Sequence, residues 1–198
     1  MAPNTFITAL PVSLMLLLLG ACTTIPVGER NQIRDEVNQA AETTIAQLVA
    51  LDPSIQEALD QATGYAVASV SATKIPIVGA GYGLALLHDL ENKTRTYINV
   101  SRFDLGAGVG AGRFRVLVIF ENRDTLERFR DGTWQSVVGT QTTAGSQGGS
   151  RTVRSGDGYA IYFVSDTGVA LVASARLIKT SVNEDLTSAS SLKHCTNY

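Results

Sequence analysis

Two histidines, two cysteines and one tryptophan in 198 residues leave little material for metal or redox chemistry. The sequence has no Gly-x-Ser-x-Gly elbow, no His-Glu-x-x-His, no Walker loop and no Cys-x-x-Cys pair, which removes the usual hydrolase, zinc and nucleotide readings. Neither sign of charge dominates: 18 acidic against 16 basic residues give a net charge of -2, unlike a nucleic-acid binder or an acidic solvating tail. His88 beside Asp89 and His194 near a polar end read as solvated residues. Glu121, Asp124 and Glu127, interleaved with Arg123, Arg128 and Arg130, read as a solvated helical face. No enzyme, cofactor or metal site is therefore expected.

Charge is also missing from residues 1–21, which hold no Asp, Glu, Lys or Arg. Their apolar block, Leu14 to Leu19, is too short to cross a bilayer as a lone helix, which needs roughly 20 residues. It has the length of a signal-peptide core and runs into Leu19-Gly20-Ala21-Cys22, small residues followed by a thiol. This arrangement resembles the bacterial lipobox. The resemblance implies cleavage before Cys22 and acylation of that residue, palmitate included, so that a lipoprotein beginning at Cys22 stays on a membrane. Thr23 stands where an aspartate marks inner-membrane retention in that class, which points to the periplasmic face of the outer membrane of a bacterial cell envelope. With Cys22 acylated, Cys195 has no intrachain partner.

The expected domains are the leader 1–21, a lipidated tether 22–30, a folded domain 31–185 and a polar tail 186–198. Ile33, Val37, Ala41, Ile45 and Leu48 recur at helical spacing and predict an amphipathic helix ending at Asp52-Pro53. The same pair offers a cap and a first-turn proline to a second helix carrying Ile55, Leu59 and Ala62, closed by Gly64. Residues 29–60 hold seven carboxylates and two arginines, so this helical region is acidic.

After Gly64 the apolar period becomes two, predicting strands over 65–71, 75–87, 96–102, 114–120, 159–164 and 169–182, with a short helix over 122–130. Residues 140–150 read as a loop or weak hairpin. Short turns favour antiparallel hairpins, and the predicted fold class is α+β: two acidic helices packed on an antiparallel sheet or open barrel.

Gly79, Gly81 and Gly83 alternate, as do Gly106, Gly108, Gly110 and Gly112. A dinucleotide loop needs Gly-x-Gly-x-x-Gly entering a helix, so this period instead strips side chains from one face of a strand. The bare face either admits a packed neighbour or forms a shallow groove for lipid. Arg113 and Arg115 share a strand face and are suited to phosphate or anionic headgroups.

From Gly64 onward the order of segments resembles the SYLF domain. The matching residues are Gly64-Tyr65-Ala66-Val67, Ser71-Ala72-Thr73-Lys74, Gly79-Ala80-Gly81-Tyr82-Gly83, Leu105-Gly106-Ala107-Gly108 with Val116 to Phe120, Leu126 to Phe129, Ile161-Tyr162 and Thr167-Gly168-Val169. The resemblance covers about residues 35–185 and implies phospholipid binding without enzymatic activity, with Lys74 as the basic position that transfers. The expected lipid-binding residues are Lys74, Arg113, Arg115, Gly79, Gly81 and Gly83, with membrane phospholipid as partner. The alternative is a structural or assembly lipoprotein that binds an envelope protein through its acidic helices.

Overall fold

The computed structural model describes residues 24–74, 78–134, 137–138, 141–143, 151–155, 158–165 and 170–191. The expected amphipathic stripe folds as α1 (Arg30–Leu51), and α2 (Ser54–Asp60) follows directly. Asp52 joins them: its side-chain oxygen accepts from the Ser54 amide at 3.0 Å and the Ser54 hydroxyl at 2.7 Å, and α2 starts one residue later than the Asp-Pro pair predicts, with Pro53 in the cap position.

Among the described residues, eight antiparallel strands form one sheet: β1 (Gly64–Lys74), β2 (Val78–Asp89), β3 (Thr94–Phe120), β4 (Val137–Val138), β5 (Gln141–Thr143), β6 (Arg151–Ser155), β7 (Tyr159–Ser165) and β8 (Ala170–Val182). Helix α3 (Arg123–Arg130) sits between β3 and β4, and α4 (Glu184–Ser191) closes the described chain. The α+β class stands as predicted.

One expectation needs correcting. The two strands anticipated over 96–102 and 114–120 are parts of a single 27-residue strand. Residues 94–105 of β3 pair with β2, and residues 110–120 pair with β1 in the opposite sense. The strand therefore borders both outer edges of the β1–β2 hairpin, changing partner between Leu105, opposite Val78, and Gly110, opposite Lys74. Glycine permits that bend, while pairing with β8, from Gly106 opposite Ser174 to Val109 opposite Leu171, keeps the backbone hydrogen bonded through it. Across the sheet the order is β6, β7, second part of β3, β1, β2, first part of β3, β8, with β4 and β5 beyond.

Both faces of the sheet are buried over part of their area. On one, Ala66, Val70, Leu87, Ile98 and Phe120 pack against Leu126 and Phe129 of α3 and against Trp134. Ring contacts run in series from Phe120 to Phe129, Trp134 and Tyr159 at centroid separations of 5.2, 5.3 and 5.3 Å, the first pair tilted and the other two edge to face. On the other, Val67, Leu86, Tyr97, Leu117, Ile119 and Tyr162 lie under α1, α2 and α4.

The polar tail expected from residue 186 begins inside α4. Asn183 caps this helix by accepting from the Leu186 amide at 3.0 Å, Leu186 is fully buried, and Arg34 donates to the Leu186 carbonyl at 2.7 Å.

Candidate functional site

Helix α1 covers only part of its face of the sheet. Where it stops, Val37, Ala40, Ala41 and Thr44 form one wall of an open cleft of about 640 Å³, with Glu36 at its rim. Val67, Ser69 and Ser71 of β1, Tyr82 and Leu84 of β2, and Asn99 and Ser101 of β3 make the floor. The cleft exists because both layers carry small side chains here. Nearer α2 the same two layers are filled by Leu48, Ile55, Leu86 and Leu117. Volumes of 300–1,000 Å³ with mainly apolar walls and a few hydroxyls are typical of small-molecule sites.

The outer edge of this floor lies open. The strand registers place Arg113, Ser71, Tyr82, Ser101 and Lys179 in one row across five adjacent strand segments. At about 4.8 Å per strand this row is roughly 19 Å long. Its two terminal cations are exposed, and Tyr82 at its centre is 68% exposed. Phe103, opposite Ala80 and one diagonal step from Tyr82, is 48% exposed. Large aromatics standing in water cost hydrophobic free energy, and aromatics flanked by cations suit the headgroup level of an anionic bilayer.

No protein-family model matches the chain. The chain is 26% identical over 160 residues to Beta cell expansion factor A of Aeromonas veronii, covering 80% of this chain and 60% of that protein. It thus spans less than two thirds of the length of Beta cell expansion factor A, and the aligned part is long enough to include most of the described fold.

The residues anticipated for lipid contact do not form one group. Arg113 and Arg115 share the α1 face, but only Arg113 is exposed; Arg115 donates to Gln47 of α1 at 2.9 Å. Gly81 and Gly83 alternate with Leu84 and Leu86 and fall in step with Ala85 and Leu87, whose side chains enter the α3-side core. The pleat therefore separates the glycines from the arginines. Gly83 is required by proximity: a Cβ there would stand 2.0 Å from the Ser69 carbonyl oxygen. Gly81, opposite Arg102, leaves room for the Arg102 guanidinium to lie 5.3 Å from the Phe114 ring centroid across the hairpin. Gly79 pairs with Lys74 in register, and Lys74 pairs with Gly110 on its other side; the Lys74 side chain lies outside the described residues. So do Cys22, His194 and Cys195.

His88 is not a solvated turn residue. It belongs to β2 directly opposite Tyr65, with Nδ1 3.0 Å from the Tyr65 hydroxyl and the rings edge to face at 5.3 Å. Burial and the nearby Arg95 push its pKa below the ordinary histidine value, against the pull of Asp89. Burial likewise raises the Tyr65 pKa.

The charged face of α3 is only half solvated. Arg128 pairs with Asp124 at 3.0 Å on the surface, whereas Arg123 and Arg130 turn toward Asp89 at 2.8 and 2.9 Å. Among the described residues, no group of three or more His, Cys, Asp or Glu is placed to hold a metal ion, and no helix is long and apolar enough to cross a membrane.

Proposed function

We propose that this protein is a non-enzymatic, SYLF-like lipoprotein of a bacterial envelope that binds phospholipid on the uncovered half of its α1 face. The observation that carries the reading is the row from Arg113 through Tyr82 to Lys179, where exposed aromatic surface and cations adjoin a cleft lined by small apolar and hydroxyl side chains. The lipobox-like Leu19-Gly20-Ala21-Cys22 supports acylation at Cys22 and residence on the periplasmic face of the outer membrane. The partial identity to Beta cell expansion factor A and the order of SYLF-like segments support the family reading.

Apolar and cationic contacts make different demands on solution conditions, which gives the test its form. The fragment 23–198 is expected to float with anionic phospholipid vesicles at low salt and to do so less at 0.5 M salt, because screening weakens exposed charges. A Tyr82→Ser, Phe103→Ser double variant with an unchanged circular-dichroism spectrum is expected to stay in the unbound fraction. A wild-type fragment that ignores anionic vesicles at low salt overturns the reading.

That outcome would promote the second reading, an envelope-protein partner on the acidic helices. One observation favours it: Arg30 and Arg34 reach α4 and Ile25, while Asp35, Glu36, Glu42, Glu57 and Asp60 point to solvent.

A further inference from the structure

The start of the domain is fastened at both backbone groups of Ile25. Its N–H donates to one carboxylate oxygen of Asp185 at 2.9 Å, and its carbonyl accepts from Nε of Arg30 at 3.0 Å. Arg30 pairs with the other oxygen of Asp185, and the Ile25 side chain packs on the α1-side core. Asp185 is itself fixed, since α4 is anchored by buried Leu186 and by Arg34. Ile25 is therefore already part of the packed domain, inside the span 22–30 expected as a tether.

Immediately after the clasp the chain makes a tight turn, with the Glu29 amide donating to the Pro26 carbonyl at 3.0 Å. Its tip is Val27, 77% exposed and the most exposed large apolar side chain among the described residues. Only three residue steps separate Cys22 from Ile25, a reach of about 10 Å at full extension. One headgroup layer is about 5–8 Å thick, half the difference between a bilayer with and without its interfaces. A domain clasped at Ile25 thus has almost no slack above a leaflet that holds lipid on Cys22.

We infer that the Pro26–Glu29 turn is a membrane-contact tip, pressed by the Ile25–Asp185 clasp into the headgroup layer of the leaflet that carries the Cys22 lipid. This rests on the lipoprotein reading above. It adds that the domain is held flush by one corner, with Val27 meeting phospholipid, and does not swing on a flexible stalk.

The test uses the full chain, expressed with its leader, purified from membranes and reconstituted in phosphatidylethanolamine–phosphatidylglycerol vesicles. In a Cys195→Ser background, Val27→Cys carries a nitroxide label, and Asp124→Cys on the exposed surface of α3 serves as the reference position. Accessibility to membrane-dissolved oxygen is compared with accessibility to a water-soluble nickel chelate. The expected oxygen-to-nickel ratio is at least tenfold higher at position 27 than at 124. Eight Gly/Ser residues inserted between Thr23 and Thr24 should bring the two ratios to within twofold, with acylation unchanged.

Mass spectrometry of the amino-terminal peptide separates the failures. An acylated Cys22 with position 27 as wet as position 124 overturns the contact tip and leaves the lipoprotein reading standing. A ratio at 27 that the spacer does not change overturns the role of the short clasped tether. A Cys22 without acyl mass removes both.

Discussion

The carboxylate of Asp89 sits 2.8 Å from the guanidinium of Arg123, at the point where the β2–β3 hairpin meets the first turn of α3. Arg130, one helix length further on, reaches the same oxygen at 2.9 Å, while Asn92 closes the hairpin turn through its amide at 3.1 Å and its side chain at 3.0 Å. One carboxylate, 1% exposed, therefore ties three backbone segments together.

Removing it should be costly. Burial alone would raise the pKa of Asp89, but the Asn92 hydrogen bonds and the two arginines outweigh it and hold the group below the usual carboxylate range. The ionised form thus contributes stability at neutral pH, and that contribution is lost as pH falls below about 4 and through the folded-state value. Asp89→Asn is expected to lose about 2–3 kcal/mol in urea unfolding at pH 7, since both arginines remain partly wet after losing their partner. The loss should shrink as pH drops toward 3. An equal loss at both pH values would contradict the assignment.

His88 works in the same direction at a higher pH. Its depressed pKa means that the unfolded chain takes up a proton first, so stability is full above about 6.5 and falls as pH drops below that value. His88→Phe keeps the edge-to-face ring contact with Tyr65 and should flatten the melting temperature between pH 7 and pH 5. Thermal melts of the two proteins at both pH values decide it.

Two glycine substitutions make a matched pair. At Gly83 a new Cβ meets the backbone of β1 at 2.0 Å, which no side-chain rotation relieves; at Gly28 nothing lies within 4 Å. Gly83→Ala is expected to cost more than about 3 kcal/mol and Gly28→Ala less than about 0.5 kcal/mol, read as shifts in urea midpoint.

The two arginines of β3 should separate by assay. Arg113→Gln leaves unfolding unchanged and lowers affinity for anionic vesicles about fivefold at low salt, the worth of one interfacial cation. Arg115→Gln removes the bond to Gln47 and is expected to lower stability by about 1 kcal/mol, seen in unfolding curves before it is seen in flotation.

Leu186→Ala tests whether the carboxy-terminal helix belongs to the fold. A fully buried leucine under α1 should cost about 2–5 kcal/mol on truncation, an effect readable in the urea midpoint. A shift near zero would return this segment to the tail.

The elements that could be read in the sequence were those whose signal is local. The stripe from Ile33 to Leu48 and the pair Asp52-Pro53 define α1 and the start of α2 from within a few residues. The short helix expected over 122–130 is α3, and Asn122 caps it by accepting from the Thr125 amide at 2.9 Å. What stayed hidden depends on distant partners. Alternating glycines from 106 to 112 fall between the two expected strands, yet β8 pairs with Gly106 and Gly108 from more than 60 positions away and β1 pairs with Gly110 and Gly112. Helix α4 offers a single buried apolar anchor, Leu186, in an otherwise polar stretch. Asp89 finds its arginines 34 and 41 residues along the chain. The open row around Tyr82 exists only because α1 stops short of it, and the length of a helix says nothing about where it lies on a sheet. Pairing Arg113 with the glycines failed for a simpler reason: successive residues of a strand point to opposite sides.

The clasp between Ile25 and Asp185 also imposes an order in time. It joins residues 160 apart in sequence, so it cannot close until α4 has been synthesised. Until α4 docks, the Ile25 amide and the Arg30 guanidinium lack their Asp185 partner, so the amino-terminal edge of α1 is drawn tight only as the last described helix packs.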